Sequence, residues 1–101
     1  MRHNLFSDLL PCPRYGESFE TLLSCKNVTI ERIVSVSFHN GEWMEQDHDE
    51  WVVLLQGDAI LEIVTTQVTL RSGDYRFIAS RTPHRVVHTS PQALWLAVHI
   101  T

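Results

Sequence analysis

A chain of 101 residues with 44% hydrophobic and 20% charged side chains has the size of one domain with one core, well away from disordered compositions. The formal charge is −4 and lysine supplies only one of the eight basic side chains, so no basic stripe exists to neutralise a phosphate backbone, and nucleic acid is not expected as a partner. No run approaches the ~20 apolar residues of a membrane span or the apolar centre of a secretory leader; no membrane partner is expected, and the chain reads as cytoplasmic.

The organisation predicted is a single domain over 1–101, an irregular N-terminal arm over 1–16 followed by a β-barrel over 17–101. Pro11, Pro13 and Gly16 break any helix that NLFSDLL starts, so the arm is expected to lie over the barrel. Cys12 and Cys25 match no zinc-pair spacing and read as two free thiols in a reducing compartment. From there ESFETLLSC, NVTIERIVSVSF, EWVVLLQ, AILEIVT, QVTLR, YRFIAS, HRVVHT and ALWLAVHI predict eight short strands, rich in β-branched and aromatic residues and separated by turn signals. Gly57-Asp58 predicts a two-residue hairpin and Arg71-Ser72-Gly73-Asp74 a second tight turn, while Pro83 and Pro91 punctuate the last third.

Strand alternation then sorts the side chains. Gln46, His48, Glu50, Val52 and Leu54 share one face, and Asp47, Asp49, Trp51, Val53 and Leu55 the other. Both faces turn apolar after residue 50, so both need cover, and a homodimer is a natural source of it in so small a chain. A carboxylate at the start of such a strand costs several kcal/mol unless it is paired or bound to a cation. Arg32 shares a face with Ile30, Val34 and Val36; if that face is inward, the guanidinium holds Glu50 or a ligand carboxylate. His84 and His88 share strand parity, whereas His99, beside Trp95 and Ala97, reads as a satisfied core or interface histidine. His3 and His39 read as surface, and Trp43, Trp51, Trp95, Tyr75 and Phe77 as packing residues. There is no Gly-rich phosphate loop, nucleophile-elbow serine or Cys-x-x-Cys, which leaves the barrel mouth as the candidate site.

Two stretches resemble the paired motifs of the cupin superfamily. Gly41, Glu50 and Gly57, with WVVLLQ between the last two, match the first; GDYRFIASRTPHRVVH resembles the second, opening at Gly73 and placing His84 at its histidine, with Ala79, Arg81 and His88 at positions where other residues are usual. The chain is similar over about residues 28 to 100 to small single-domain cupins with a DEWVVLLQG first motif, and the resemblance implies an all-β jelly-roll barrel. It departs from the family at the His-x-His pair: counting back from Glu50 reaches Met44 and Gln46, and counting forward from Gly41 reaches Asp47 and Asp49. A substitute shell of His48 and Glu50, about 7 Å apart along one strand face, with His84 from the facing strand and Gln46 or a water completing it, suits Zn, Fe(II), Mn or Ni.

Two functions fit this set. One is a metal-binding cupin acting on, or sensing, a small polar organic molecule, with Arg32 and His88 toward the ligand. The other is a metal-free binding or regulatory module in which the same side chains hydrogen-bond a sugar or organic acid. The fold itself selects no reaction.

Overall fold

The computed structural model describes residues 3–9, 11 and 16–101, and these contain eight β-strands and no helix. The strands are β1 (Gly16–Cys25), β2 (Val28–Val36), β3 (Asp49–Gln56), β4 (Asp58–Ile63), β5 (Thr66–Arg71), β6 (Tyr75–Ile78), β7 (His84–Thr89) and β8 (Gln92–Ile100). All pairings are antiparallel, in a five-stranded sheet ordered β1-β2-β8-β3-β6 and a three-stranded sheet ordered β5-β4-β7. The two sheets form a jelly roll, as the eight predicted strands require.

The core lies between the sheets. Val52 and Leu54 of β3, Ile78 of β6, and Ala93, Trp95 and Ala97 of β8 pack against Ala59 and Leu61 of β4 and Leu70 of β5. Large and small side chains alternate in this set, so Trp95 fills space that Ala93 and Ala97 leave. Complete burial of a side chain such as Leu54 stabilises the fold by about 2 kcal/mol. Of the tryptophans, Trp95 is buried in this core, Trp51 packs 5.5 Å from Tyr75 on the outer face, and the ring of Trp43 lies 5.0 Å beneath the Arg85 guanidinium.

The expected hairpin at Gly57-Asp58 is not one. β3 and β4 belong to different sheets, and Gly57 is the corner at which the chain crosses between them. Its φ is +92°, and a Cβ there would stand 2.6 Å from the Gln92 carbonyl oxygen and 2.7 Å from Ser90 Oγ. A turn residue is needed at this point, but it redirects the chain instead of folding it back on its own ladder. The turn at 71–74 is present, closed by Asp74 N–H to Arg71 O at 2.9 Å and by Arg71 N–H to Asp74 Oδ2 at 2.8 Å, and it too joins strands of different sheets.

The face of β2 that carries Arg32 is the outer one. Arg32 pairs with Glu20 of β1 and donates to the main-chain oxygens of Asn4, Leu5, Ser7 and Asp8. The described part of the N-terminal arm thus lies across β1 and β2, held by one buried guanidinium whose donors are all consumed there. Residues 1, 2, 10 and 12–15 of the predicted arm, Cys12 among them, lie outside the described residues. Cys25 is a free, exposed thiol. On the same outer side, around β3 and β6, Tyr75 and Phe77 are 64% and 59% exposed.

One two-residue connection carries strain. Val64, between β4 and β5, has φ +56°, a conformation in which a β-branched side chain crowds its own backbone. Its N–H donates to Pro83 O at 2.9 Å, which holds the turn in place, while the side chain is 53% exposed and contributes little packing. Val64→Asn, which keeps the N–H and tolerates this conformation, should raise stability by about 1 kcal/mol in urea denaturation.

Candidate functional site

The register of the larger sheet decides which polar groups enter the interior. Glu50 lies opposite His99 of β8 on one side and Ile78 of β6 on the other, and the same pleat carries Val52 and Leu54 inward. In β2 the inward set is Glu31, Ile33 and Ser35, paired with Ala97, Trp95 and Ala93 of β8. His84 opens β7 in the facing sheet and is buried. Met44, at one of the positions where the first motif carries histidine, is 46% exposed and meets His84 through a pair of main-chain hydrogen bonds, 2.8 and 2.9 Å.

Glu50 and His84, two of the expected site residues, are brought together. Glu50 Oε1 and His84 Nε2 are 3.7 Å apart, close enough for charge attraction and too far for a hydrogen bond. Both atoms are buried without a hydrogen-bond partner. The Thr82 carbonyl, which only accepts, takes the His84 Nδ1 proton at 2.8 Å, so in the neutral ring Nε2 carries the lone pair. Two acceptors therefore face each other across a short gap with no donor between them.

His48 sits just before β3, and its Nε2 is 2.9 Å from Nδ1 of His99, the rings meeting edge to face at 4.9 Å between centroids. His99 Nε2–H in turn donates to Glu31 Oε1 at 2.8 Å. Given that donation, a neutral His99 accepts at Nδ1, and His48 Nε2–H is the donor. The far nitrogen of His48 has only Asp47 Oδ1, at 3.4 Å, and that carboxylate is 91% exposed. Burial pushes the Glu50 carboxyl above the usual carboxylate range; His99, His84 and His48 pull it back, His99 most strongly, and Glu31 adds to the push. As they stand, the described residues do not gather three His, Cys, Asp or Glu side chains around one point in a metal-holding arrangement.

Three expected positions are placed elsewhere. Arg32 faces outward and is committed to Glu20 and the arm, so it does not reach Glu50. His88 is exposed because the ladder between β4 and β7 skips a residue: Leu61 pairs with Val86 and Ile60 with His88, which reverses the alternation and turns Thr89 inward instead. Gln46 is half-buried, and its main-chain oxygen accepts from Arg81 N–H at 2.6 Å. Conversely, His99 and Glu31 belong to the site although the sequence pointed to neither. For His99 the signal was present in its shared face with Trp95 and Ala97.

Neither a protein-family model nor a curated relative matches the chain. Among solved structures, a protein from Ralstonia eutropha JMP134 provisionally named a mannose-6-phosphate isomerase is 35% identical with a TM-score of 0.85, the match covering 99% of this chain and 97% of that one. A cupin superfamily protein from Desulfitobacterium hafniense DCB-2 is 18% identical with a TM-score of 0.77, over 98% and 90% of the two chains. The chain is a cupin. A structure of Fe(II)-HppE with an alternative substrate shares the fold at 14% identity and a TM-score of 0.74, this cupin spanning 49% of that longer chain. No helix among the described residues of the cupin is long and apolar enough to cross a membrane.

At the β1–β2 side of the cupin interior a second polar chain runs from the core outward. Trp95 Nε1–H donates to Ser35 Oγ at 3.0 Å, and Ser35 O–H donates to Glu17 Oε2 at 2.7 Å. Burial raises the Glu17 carboxyl above its ordinary value of 4.5, the Ser35 hydrogen bond lowers it in part, and Glu31 raises it further. The folded chain thus holds this proton more tightly than the unfolded one. The stability it contributes is full below pH 4.5 and is lost as pH rises through the higher folded value. Glu17→Gln, which keeps an acceptor for Ser35, should raise the midpoint of thermal unfolding at pH 7, and the gain should disappear when the scan is repeated below pH 4.5.

Proposed function

We propose that this cupin binds a divalent transition metal, Zn, Fe, Mn or Ni, together with a small polar organic molecule at the mouth of the barrel. The observation that carries the reading is the facing pair of buried, partnerless acceptors, Glu50 Oε1 and His84 Nε2, 3.7 Å apart. Leaving a buried acceptor unsatisfied costs roughly 1–3 kcal/mol, and a cation offsets that cost for both atoms at once. An imidazole from the His48–His99 pair would supply a third donor once its ring turned toward the other two. The bound metal would act as a Lewis acid on a carbonyl or related oxygen. The residues themselves orient the guest, exclude water through Trp95 and Ile78, and accept its hydrogen bonds. Fe(II) in the HppE structure and the sugar-phosphate isomerase name of the 35% identical relative both support a metal and a small polar guest.

A second reading, a metal-free module binding a sugar or organic acid, is favoured by the ungathered donor set and by Met44 and Gln46 at the His-x-His positions. In that case the two orphan acceptors receive hydroxyl protons. Elemental analysis of protein purified without tag or chelator separates the two. Near-stoichiometric metal that is lost in Glu50→Gln and His84→Ala bears out the first reading; absence of metal from all three, with polyols or organic acids raising the melting temperature of the wild type, bears out the second.

The reading includes a cytoplasmic location, which the free, exposed Cys25 thiol supports. It is also read as a homodimer, and the aromatic outer face of Trp51, Tyr75 and Phe77 supports this. Light scattering should give twice the chain mass for the wild type and the monomer mass for Phe77→Glu.

A further inference from the structure

The outer face of the larger sheet carries a row of apolar side chains that crosses all five strands. Phe77 of β6 lies opposite Trp51 of β3, Trp51 opposite Val98 of β8, Val98 opposite Ile30 of β2, and Ile30 opposite Leu23 of β1. Residues paired across a ladder share one side of the sheet, so the five side chains form a continuous stripe. The neighbouring row runs Tyr75, Val53 and Leu96 before it reaches Arg32 and Glu20, which pair with each other. Those two are the only charges in either row.

The two halves of this face differ in height. Over β1 and β2 the arm is fastened to Arg32, and Arg32, Val34 and Leu94 are buried. Over β3 and β6 the rings of Tyr75 and Phe77 stay 64% and 59% exposed. At about 200 Å² for a whole aromatic side chain, these two leave about 250 Å² open. With Leu23 and the half-buried members of both rows, the open apolar surface reaches roughly 500 Å², as much as a soluble monomer usually exposes. That is also the apolar share of an interface burying about 800 Å² per partner. A chain of formal charge −4 with one lysine has no basic rim for anionic lipid, and the rows offer a sugar only the Tyr75 hydroxyl. A second copy of the chain matches the face in area and in lack of charge.

We propose that two copies pack these faces together about a two-fold axis running along β8, the third of the five strands, so that the arm-covered half of each meets the bare half of the other. This rests on the homodimer reading above and specifies its geometry. Val98 and Leu96 meet their own copies at the axis. Phe77 faces Leu23 of the partner subunit, and Trp51 faces Ile30 of the partner subunit. Phe6, exposed in the stretch of arm fastened to Arg32, is presented to Tyr75 of the partner subunit, which makes the arm part of the interface. An axis across the strands would instead set arm on arm and hold the bare halves apart.

Leu23→Glu and Phe77→Lys, both at exposed positions outside the core, should each give the monomer mass in light scattering with a wild-type far-ultraviolet spectrum. The double variant should regain the dimer, because each new lysine then faces a new glutamate across the interface. Phe6→Glu should weaken the dimer about 10-fold in sedimentation equilibrium. Phe19→Glu, exposed on the opposite side of β1, should leave it unchanged. A dimer that survives both single substitutions, a double variant that stays monomeric, or a Phe6→Glu protein that dimerises as tightly as wild type overturns the arrangement while the homodimer stands. Loss of the dimer in Phe19→Glu overturns it in favour of the open edge of β1. A monomeric wild type overturns the homodimer as well, and binding of that monomer to phosphatidylcholine vesicles or to oligosaccharides would assign the face to lipid or to sugar.

Discussion

A pleated strand sends its side chains to alternate sides, and the antiparallel register that locks β2, β8 and β3 together settles which half of each goes inward. With Glu50 opposite His99, Val52 opposite Ala97 and Leu54 opposite Trp95, the interior is apolar at its centre and polar at one end. A shift of one residue in any of the three strands would exchange these sets and put Val53, Leu96 or Arg32 inside. Such a slip is opposed by packing. Trp95 fits where Ala93 and Ala97 flank it, and its indole N–H reaches Ser35 only in the observed register.

The same register concentrates acceptors at the mouth. Glu31, Glu50 and the ring nitrogens His84 Nε2 and His99 Nδ1, whose opposite nitrogens donate to Thr82 O and Glu31, lie at that end, with no lysine or arginine among them. Arg32, which lies next to Glu31 in the chain, is turned to the opposite side of the sheet and consumed by Glu20 and the arm. A site of this composition favours cationic or proton-donating guests. An anionic guest would have to bring its own counter-charge or enter with a metal.

Much of this was legible in the sequence. Eight strand segments, the buried Glu50 and its meeting with His84 follow from alternation, turn residues and the resemblance of two stretches to the cupin motifs. The errors have a common physical origin, because alternation says that neighbours differ without saying which is inside. In IERIVSV both faces carry apolar residues, so recognising the Glu31 face and not the Arg32 face as the inward one needs the pairing with β8. His84 and His88 share strand parity in HRVVHT, but parity fails when a bulge at Val87 intervenes, and nothing in that stretch announces the bulge. Gly57 carries the residue type of a hairpin, yet a corner between sheets makes the same demand for positive φ. His99 was placed correctly on an inward face; what its neighbours would be depended on contacts from β2 and from the segment before β3, both distant in the chain.

The position of β8 has a consequence for how the chain reaches this state. The last strand of the sequence is the third of five in its sheet, pairing with β2 on one side and β3 on the other. Until residues 92–100 are available, β2 and β3 each present an open edge, with apolar side chains exposed beside it. Closing the sheet means joining segments about sixty residues apart on one side and forty on the other, which belongs to the slow, topology-limited end of small-domain folding. During synthesis this sheet could not close until residues 92–100 had emerged, and a nascent chain stalled before Gln92 would be a natural client for chaperones that shield open strand edges.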